Sequence, residues 1–372
     1  MTERRLESGG SLRRMNRATG ARGPMVVVAP DEYGGTLTAT AAAAAIIDGW
    51  SSVRPHDRFD VLPQSDGGPG FVAVLAAAGA VAVRTALVSG PMGDPVAAEY
   101  GIAVDGTVYV EAAQACGLAI LGRRPSPETA LAATTAGVGE LLQIVIADGA
   151  ERIVVGLGGS ATTDGGRGAL NVFGGPADAA DRFRRIDLVV ASDVDNPLLG
   201  RQGAAQMFGR QKGADSATVE SLQARLTAWA DDLARTGRDV RDWPGAGAAG
   251  GLGAALLAVG GRRRPGTDVV ADATDRRRRL AEADLVITGE GRFDAQTAHG
   301  KVVAALAADV GNAPLLVLAG QVSGHVRIAG VAGVWSVVEH VGSLDRAMND
   351  PGPSLASLAA RVAGEWVMRG SV

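Results

Sequence analysis

A short apolar run that ends in a glycine-rich loop constrains this chain more than any other feature. Residues 152–168 read RIVVGLGGSATTDGGRG, and Ile153 to Val155 form a β-branched run typical of one buried strand in a parallel sheet. Glycines lack a Cβ atom, so the N–H groups of the loop can turn toward an anion and a ligand can approach closely. Because open α/β sheets bind ligands where their strands end, this stretch predicts an α/β fold with a site at the loop.

Two other interpretations of the loop compete with this one. It could be a turn without a ligand, or a dinucleotide-binding loop, since Gly156, Gly158 and Ala161 match the pattern GxGxxA. A dinucleotide fold should also show an acidic residue at the end of the next strand, about 20 residues further on. Asp193 comes later than that and lies among other Asp and Asn residues. A nicotinamide dehydrogenase is therefore the weaker enzyme interpretation.

The composition narrows the classes of function. A chain of 372 residues is expected to form about two domains. The chain is 47% hydrophobic but only 4% aromatic, so its cores must consist of Ala, Val, Leu and Gly. A net charge of −4 gives no electrostatic reason to expect nucleic acid as a partner. The single cysteine, Cys116, excludes an internal disulfide and a cysteine-rich metal site.

The ends and the apolar runs of the chain suggest a cytoplasmic protein. Residues 1–24 are rich in Arg, Gly and Ser and lack an apolar period, so we expect a disordered tail before the first strand. The apolar run 71–83 is too short and too rich in Ala and Gly to span a bilayer. No signal peptide is visible, and we expect no membrane partner.

The basic residues are almost all arginine. Of 36 basic residues only two are lysine, Lys212 and Lys301, and both lie in polar stretches rich in glycine. A compact ammonium group on a phosphate is one reason for such exceptions. The arginine runs 262–264 and 276–279 are expected to lie on solvated surfaces.

Short apolar runs that alternate with helix-like segments predict a doubly wound, mostly parallel Rossmann-like sheet. The runs 81–88, 96–104 and 107–111 alternate instead around Gly-Pro and Asp-Gly turns, which predicts an antiparallel meander in a second, inserted α/β domain. We assign residues 25–60, 118–198 and 284–372 to the Rossmann-like domain, and 61–117 with 199–283 to the second. The Rossmann-like strands are predicted at 25–29, 152–156, 187–191, 284–288, 315–319 and 334–338.

Polar clusters follow the predicted strands. Strand ends of a parallel sheet share one edge, so these groups can converge on a cleft between the domains. Carboxylates, lysines and glycine loops together suit phosphoryl transfer, in which Mg²⁺ takes oxygen ligands and a carboxylate accepts the proton of the acceptor hydroxyl. No Walker A loop is present. The clusters are Asp31 with Glu32, Asp66 with Gly67 and Gly68, Ser160 with Asp164, Asp193 with Asp195 and Asn196, and Glu290 with Asp294 and Lys301.

Five long motifs carry a resemblance to a known family. GLGGSATTDGG, SDVDNPLLG, FGRQKGA, GAGAAGGLGAALLA and DLVITGEGRFDAQTAHGK occur in this order, and the chain resembles the bacterial glycerate kinase family over most of residues 25–372. The resemblance implies two α/β domains with the active site between them. It implies transfer of the γ-phosphate of ATP to a hydroxyl of D-glycerate, giving 2- or 3-phosphoglycerate, with Mg²⁺ as cofactor.

The first two loops depart from the family pattern. The family usually reads PDSFKGSLSA where this chain reads PDEYGGTLTA, so Glu32 replaces Ser and Gly34 replaces Lys. The usual ADGGEGT has Pro69 in place of Glu here. Loss of one cation and one carboxylate should alter acceptor binding first. A kinase for a different small hydroxy acid, or a relative that binds a nucleotide or metabolite without catalysis, therefore remains as an alternative.

Roles follow from the motifs and the resemblance together. We expect Gly158, Gly159 and Ser160 to hold phosphate, with Asp164 and Glu290 also on the nucleotide side. Which Asp acts as the base is left open, as is the hydroxyl that is phosphorylated, and a homodimer is the candidate oligomeric state. The expected catalytic residues are Asp193, Lys212, Asp294 and Lys301, the metal ligands Asp193 and Asp195, and the acceptor-binding residues Asp31, Asp66, Gly67 and Gly68.

Overall fold

Two large β-sheets form the framework of the chain, and Arg292–Phe293 pairs with Gln321–Val322 in a third, two-stranded sheet. The computed structural model describes residues 23–295, 297, 302–324 and 326–366, so of the predicted tail only residues 23 and 24 are described. The strands are β1 (Met25–Val28), β2 (Arg58–Val61), β3 (Val81–Ser89), β4 (Pro95–Ala103), β5 (Val108–Glu111), β6 (Arg152–Gly156), β7 (Asp187–Ala191), β8 (Arg262–Arg264), β9 (Leu285–Thr288), β10 (Arg292–Phe293), β11 (Leu315–Ala319), β12 (Gln321–Val322) and β13 (Val331–Ser336).

Most of the helices are short, and two 3₁₀ turns (Arg210–Lys212 and Ala248–Gly251) accompany them. The helices are α1 (Ala39–Val53), α2 (Phe71–Ala77), α3 (Ala113–Cys116), α4 (Pro127–Ala132), α5 (Ala136–Ala147), α6 (Arg167–Asn171), α7 (Pro176–Phe183), α8 (Ala204–Phe208), α9 (Ser216–Ala234), α10 (Leu252–Ala258), α11 (Gly266–Ala273), α12 (Arg276–Ala281), α13 (Val302–Asp309), α14 (Val337–Val341), α15 (Leu344–Asn349) and α16 (Pro351–Glu365).

The first sheet is parallel throughout, in the order β13-β11-β9-β1-β2. Helices α1 and α16 cover one face, and their contact is close enough that a Cβ at Gly49 would lie 2.0 Å from the carbonyl oxygen of Ala356. The other face packs against α12 and α13. Helices on both faces of a parallel sheet confirm the predicted doubly wound α/β architecture.

The second sheet has the order β3-β4-β5-β6-β7-β8. Strands β3, β4 and β5 are antiparallel neighbours, which confirms the predicted meander, and β5 to β8 run parallel. All six strands lie in the sequence between β2 and β9, so the second sheet is an insertion in the first.

The predicted membership of β6 and β7 in the first sheet is wrong. Both strands pair in the second sheet, with Ile153 of β6 opposite Val108 of β5 and Leu188 of β7. A short apolar run shows that a strand is buried but does not show which strands will pair with it, because either sheet could have buried it. The segment 118–198 therefore contributes both of its strands to the inserted sheet.

The arginine runs 262–264 and 276–279 do not lie only on solvated surfaces, contrary to expectation. The first forms strand β8. In the second, Arg276 is 2% exposed and donates to Asp309 Oδ2 at 2.6 Å and to Gln64 Oε1 at 3.0 Å. It also donates to the carbonyl oxygen of Thr267 at 3.2 Å. Arg276 thus joins α11 of the insertion to α13 and to the loop after β2.

One apolar helical segment of the described chain, 127–147, is long enough by composition to cross a membrane. In the fold it consists of α4 and α5, with Ala133 at the break, and half of its most apolar 18-residue stretch is buried. Leu141, Leu142 and Val145 belong to the main core of the second sheet. The segment is therefore a core element of this fold.

Candidate active site

Two carboxylates meet at the edge of the first sheet. Asp31 follows β1 and Glu290 follows β9, and these strands are neighbours in the sheet. The amide of Asp31 donates to the carbonyl oxygen of Gly289 at 2.8 Å, and Glu290 Oε1 accepts a hydrogen bond of 2.6 Å from the hydroxyl of Thr297. The structure therefore brings Asp31 and Glu290 to one edge, as the topology of a parallel sheet requires.

Asp31 is a strongly perturbed carboxyl group of this edge. Burial raises the pKa of Asp31 to about 8, and the negative charges of Asp66, Glu32 and Glu290 add to the rise. The backbone N–H of Glu32, which donates to Asp31 Oδ1 at 2.8 Å, acts in the opposite direction. Burial and Asp66 also raise the pKa of Glu32. The site is therefore an acidic cluster that favours a cationic ligand.

Asp193 belongs to the second sheet, and the charge of Asp66 acts on it as it does on Asp31. It follows β7, and its Oδ1 accepts a hydrogen bond of 2.7 Å from the amide of Gly266, which opens α11. Its Oδ2 is buried and has no hydrogen-bond partner among the described residues. Burial and the charge of Asp66 raise the pKa of Asp193 to about 6. A buried carboxylate oxygen without a donor is costly unless a ligand brings a donor or a positive charge.

The loop that carries Asp66 connects the two sheets. It follows β2, and Asp66 Oδ1 accepts a hydrogen bond of 2.9 Å from the amide of Gly68. Gly67 has a φ of +93°, and a Cβ there would lie 2.8 Å from the carbonyl oxygen of Ala191 at the end of β7. A Cβ at Gly266 would lie 1.8 Å from the carbonyl oxygen of Asp66. The loop is thereby held against the second sheet, and Asp66 is placed among the carboxylates of both.

The glycines after β6 serve the packing of this loop. A Cβ at Gly158 would lie 2.5 Å from the Cα of Gly68, and a Cβ at Gly159 would lie 2.4 Å from Cγ of Pro69. Backbone can approach backbone this closely only where side chains are absent. Glycine is therefore required at 158 and 159 for loop packing, and their contact with phosphate stays a prediction.

A cavity of about 380 Å³ lies over the edge of the first sheet. Its polar end is lined by Asp31, Glu32, Asp66 and Glu290. Its other end is apolar, because α14, α15 and α16 close it. Leu344 and Met348 are 52% and 53% exposed, which is high for apolar side chains. The apolar residues of the lining include Val337, Val338, Leu344, Ala347, Met348 and Leu355.

Arg292 is a residue of this cavity that the sequence interpretation missed. Among the described residues that line the cavity it is the one cation, and its Nε lies 3.3 Å from Oδ2 of Asp294. Its position two residues after Glu290 was the available signal. In a chain with 34 arginines that signal does not stand out.

Tyr33 was also missed, although it fixes the first loop. Its hydroxyl donates to the carbonyl oxygen of Leu318, and a Cβ at Gly289 would lie 2.0 Å from that hydroxyl. The ring is 5% exposed, and burial raises the pKa of Tyr33. Tyr33 therefore anchors the loop that carries Asp31 to the end of β11.

Lys212 is buried away from the cavity lining that the structure describes. It is 3% exposed, and its Nζ donates to Ser160 Oγ at 2.9 Å and to the carbonyl oxygen of Thr162 at 2.5 Å. Burial lowers the pKa of Lys212 to about 8, against the opposing effect of Cys116 and Asp164. These contacts give Lys212 and Ser160 a role in supporting the glycine loop. Direct contact of either residue with phosphate stays a prediction.

Asp164 also has a supporting role in the structure. Its carboxylate accepts hydrogen bonds from the amide and the hydroxyl of Thr135 at 2.9 and 2.8 Å. It accepts two more from the amides of Gly166 and Gly168 at 3.0 and 3.1 Å. Four donors from the protein hold this carboxylate, so it fastens the loop to the start of α5. Its place on the nucleotide side stays a prediction.

The remaining predicted residues differ in their placement. Asp195 is 78% exposed at its side chain and pairs with Arg263 at 2.7 Å, and Asp294 pairs with Arg292. Lys301 lies outside the described residues. Within the described ranges no group of three His, Cys, Asp or Glu side chains could hold a metal ion. We expect a cation at this site to take ligands from substrate or water in addition to carboxylates.

Comparisons with known proteins show similarity over most of the chain. A family model described as the glycerate kinase family matches residues 26–182 and 176–367. An uncharacterized protein of Mycobacterium bovis is 50% identical, over 93% of this chain and 94% of its own length. The glycerate 2-kinase of Escherichia coli is 37% identical, over 87% of this chain and 92% of its own. The crystal structure of a protein assigned as glycerate kinase 2 from Salmonella typhimurium LT2 has a TM-score of 0.74 and 36% identity, over 92% of this chain and 98% of its own.

Proposed function

Because this chain belongs to the glycerate kinase family, we propose that it transfers the γ-phosphate of ATP to a hydroxyl of D-glycerate, giving 2- or 3-phosphoglycerate. The observation that carries the proposal is the acidic cluster of Asp31, Asp66, Glu290 and Asp193, which continues into a cavity with an apolar end. The polar end suits the reacting groups and their counter-ions, and the apolar end suits the flat base of a nucleotide.

We assign the adenine of ATP to the apolar end of the cavity. Leu344, Met348 and Leu355 line that end, and two of them are more than half exposed without a ligand. A nucleotide base that covers them would remove apolar surface from water, at roughly 25 cal/mol per Å². The phosphates would then extend toward Asp31 and Asp66.

We assign Asp193 and Asp66 as the residues that would hold Mg²⁺. The buried, unpartnered Oδ2 of Asp193 fits a cation, and the charge of Asp66 is felt by Asp193 and Asp31 alike. Mg²⁺ commonly takes one or two carboxylates together with phosphate oxygens and water. When bound, the ion supplies positive charge to the phosphates during transfer. Asp195 is less suited, since Arg263 already pairs with it.

We assign Asp31 as the general base. The raised pKa, about 8, makes its carboxylate a stronger base than that of an exposed aspartate. A general base works best when its pKa lies close to the pH at which the enzyme operates. As the acceptor oxygen bonds to the γ-phosphorus and the bond to ADP breaks, the hydroxyl proton passes to Asp31. Arg292 lies in the same cavity and would neutralise negative charge on the phosphoryl group or on the acceptor carboxylate.

A second acceptor is favoured by one observation. Glu32 and Gly34, where the family pattern has Ser and Lys, both line the cavity. An extra carboxylate and a missing cation weaken the binding of an anionic acceptor. We therefore keep a different small hydroxy acid as the alternative acceptor, together with a relative that binds a nucleotide or metabolite without catalysis.

The setting of the enzyme is also a proposal. We propose that it works in the cytoplasm on small molecules, without nucleic acid or membrane as partner. A homodimer is the oligomeric state to test by light scattering of the purified protein.

Release of ADP by the purified protein tests the function. ATP and Mg²⁺ are supplied with D-glycerate, with other small hydroxy acids, with glycerol, or alone, and the position of the phosphate in the product is read by NMR. Turnover that requires D-glycerate and stops with EDTA supports the proposal. Turnover with another acceptor supports the alternative kinase. ATP binding without turnover on any acceptor contradicts both kinase proposals.

A further inference from the structure

A second cavity lies in the inserted part of the chain, apart from the cavity of the acidic cluster. It has a volume of about 430 Å³ and lies between the loop before α5, the start of α6 and one face of α9. None of its lining residues lines the cavity of the acidic cluster. The charged residues of its lining are Arg167, Arg225 and Asp164, which leaves one positive charge in excess.

Neutral groups contact both guanidinium groups, and Arg167 has a carboxylate partner as well. Arg225 Nη1 donates to the carbonyl oxygen of Leu131 at 3.0 Å, and within the described chain Arg225 has no carboxylate partner. Arg167 lies over the ring of Trp229, with Cζ 4.7 Å from the ring centroid. Arg167 also forms a long ion pair, with its Nη2 3.9 Å from Oδ2 of Asp232. Carbonyl and ring contacts orient a guanidinium group without neutralising its charge.

The carboxylate of this cavity, Asp164, forms no ion pair with Arg167 or Arg225 in the part of the chain that the structure describes. Asp164 accepts its four hydrogen bonds from Thr135, Gly166 and Gly168. It is thus held by donors of the loop backbone and of Thr135. An anion in the cavity would meet some repulsion from Asp164, which the two guanidinium groups oppose.

Thr163 supplies an independent sign of a missing ligand. It lines the cavity, is 2% exposed, and its Oγ1 is buried without a hydrogen-bond partner in the part of the chain that the structure describes. Buried hydroxyl groups nearly always find a partner, so a single buried one without a partner calls for a ligand or a water. A hydroxyl can donate to an anion at the same place where two guanidinium groups attract it.

We propose that this cavity is a second binding site, for the phosphate oxyanion, free or as the monoester of a small molecule. Arg225 and Arg167 would bind the oxyanion by charge-assisted hydrogen bonds, and the hydroxyl of Thr163 would donate a third. The site does not depend on the identity of the acceptor substrate. Thr163 and Asp164 belong to the loop whose beginning, at Gly158, packs on Gly68 beside Asp66.

Calorimetric titration with inorganic phosphate, and separately with glycerol 3-phosphate, tests the site. Arg225→Gln removes one guanidinium group of the cavity, and Arg238→Gln, an exposed residue outside the lining, removes the same charge elsewhere. We expect binding to weaken about tenfold in Arg225→Gln, as for a lost charge-assisted hydrogen bond, and to stay within about twofold in Arg238→Gln. Tighter binding of the monoester identifies an organic phosphate as the ligand, and equal binding identifies free phosphate.

Thr163→Val separates binding from folding. Valine keeps the shape and removes the unpartnered hydroxyl, so the ligand-free variant should melt at the same temperature as the wild type or higher, while phosphate binds more weakly. Equal phosphate binding in the wild type, Arg225→Gln and Thr163→Val would overturn the proposal. The anion would then bind elsewhere, for example in the cavity of the acidic cluster. Absence of phosphate binding to the wild type would overturn it as well.

Discussion

The two carboxylate oxygens of Asp193 have opposite surroundings: Oδ1 accepts the amide of Gly266 at 2.7 Å, and Oδ2 is buried without a partner in the described chain. One oxygen thus caps α11, and the other is available to a ligand. The same side chain therefore links the start of a helix in the insertion to the acidic cluster at the edge of the first sheet.

Replacing Asp193 by Asn should separate these two functions. Asparagine still offers an oxygen to Gly266, so the melting temperature should not fall, whereas loss of the carboxylate should lower kcat by about 100-fold if it holds the cation of the reaction. Asp195→Asn is the matched control, because it only breaks an exposed ion pair with Arg263, worth about 0–1 kcal/mol. Steady-state kinetics and thermal melts of both variants check this. Equal loss of activity in both would contradict our choice of Asp193 over Asp195.

Asp31 should make the ligand-free protein less stable as pH rises. Its folded pKa of about 8 lies above the value of 3.8 for an unperturbed Asp, so the folded state binds more protons between these pH values. The free energy of unfolding therefore falls with rising pH across this window. Asp31→Asn should remove that contribution, so its stability relative to the wild type should increase from pH 5 to about pH 8. Urea denaturation at several pH values measures the difference, and a constant difference across the window would speak against a raised pKa.

Lys212→Met should mainly lower the stability of the protein, and affect the catalytic step less. The variant leaves the hydroxyl of Ser160 and the carbonyl oxygen of Thr162 without their buried donor, which should cost about 2 kcal/mol. The folded pKa of Lys212, about 8, lies below the unperturbed 10.5, so the unfolded state binds more protons between these values. The free energy of unfolding of the wild type therefore rises with pH through this window, and that of the variant does not. The difference in unfolding free energy between the wild type and Lys212→Met should grow with pH.

Denaturation of Lys212→Met at pH 7 and pH 9.5 measures this deficit, with Arg210→Met, at an exposed neighbouring position, as the control. A variant with unchanged stability and abolished turnover would instead support the catalytic role that the sequence suggested for Lys212.

Arg276→Met should weaken the contact between the insertion and the first sheet. The guanidinium group is 2% exposed and bonds to Asp309, Gln64 and Thr267, so its loss should lower the free energy of unfolding by about 3 kcal/mol. Arg278→Met is the matched control in the same helix, because its pairs with Asp275 and Glu282 are exposed and should contribute about 0.5 kcal/mol. Chemical denaturation compares the two variants. Similar losses in both would show that burial of Arg276 adds nothing.

The sequence by itself determined the α/β class, the existence of most strands and the family. Local patterns suffice for these conclusions, since a β-branched run such as Ile153 to Val155 forms a strand in any sheet that buries it. The sequence also determined that Asp31 and Glu290 would meet, because both follow parallel strands and strand ends share an edge.

The tertiary structure alone decided which strands pair and what each polar group faces. Strands β6 and β7 joined the meander sheet because backbone pairing depends on partners far away in the sequence. The structure showed that Lys212 and Ser160 bond to each other and that Asp164 is held by donors from Thr135 and Gly166, contacts that the sequence did not indicate. Arg292 gained its place in the cavity from the loop after β9. Burial and long-range contact set these outcomes, and a one-dimensional pattern records neither.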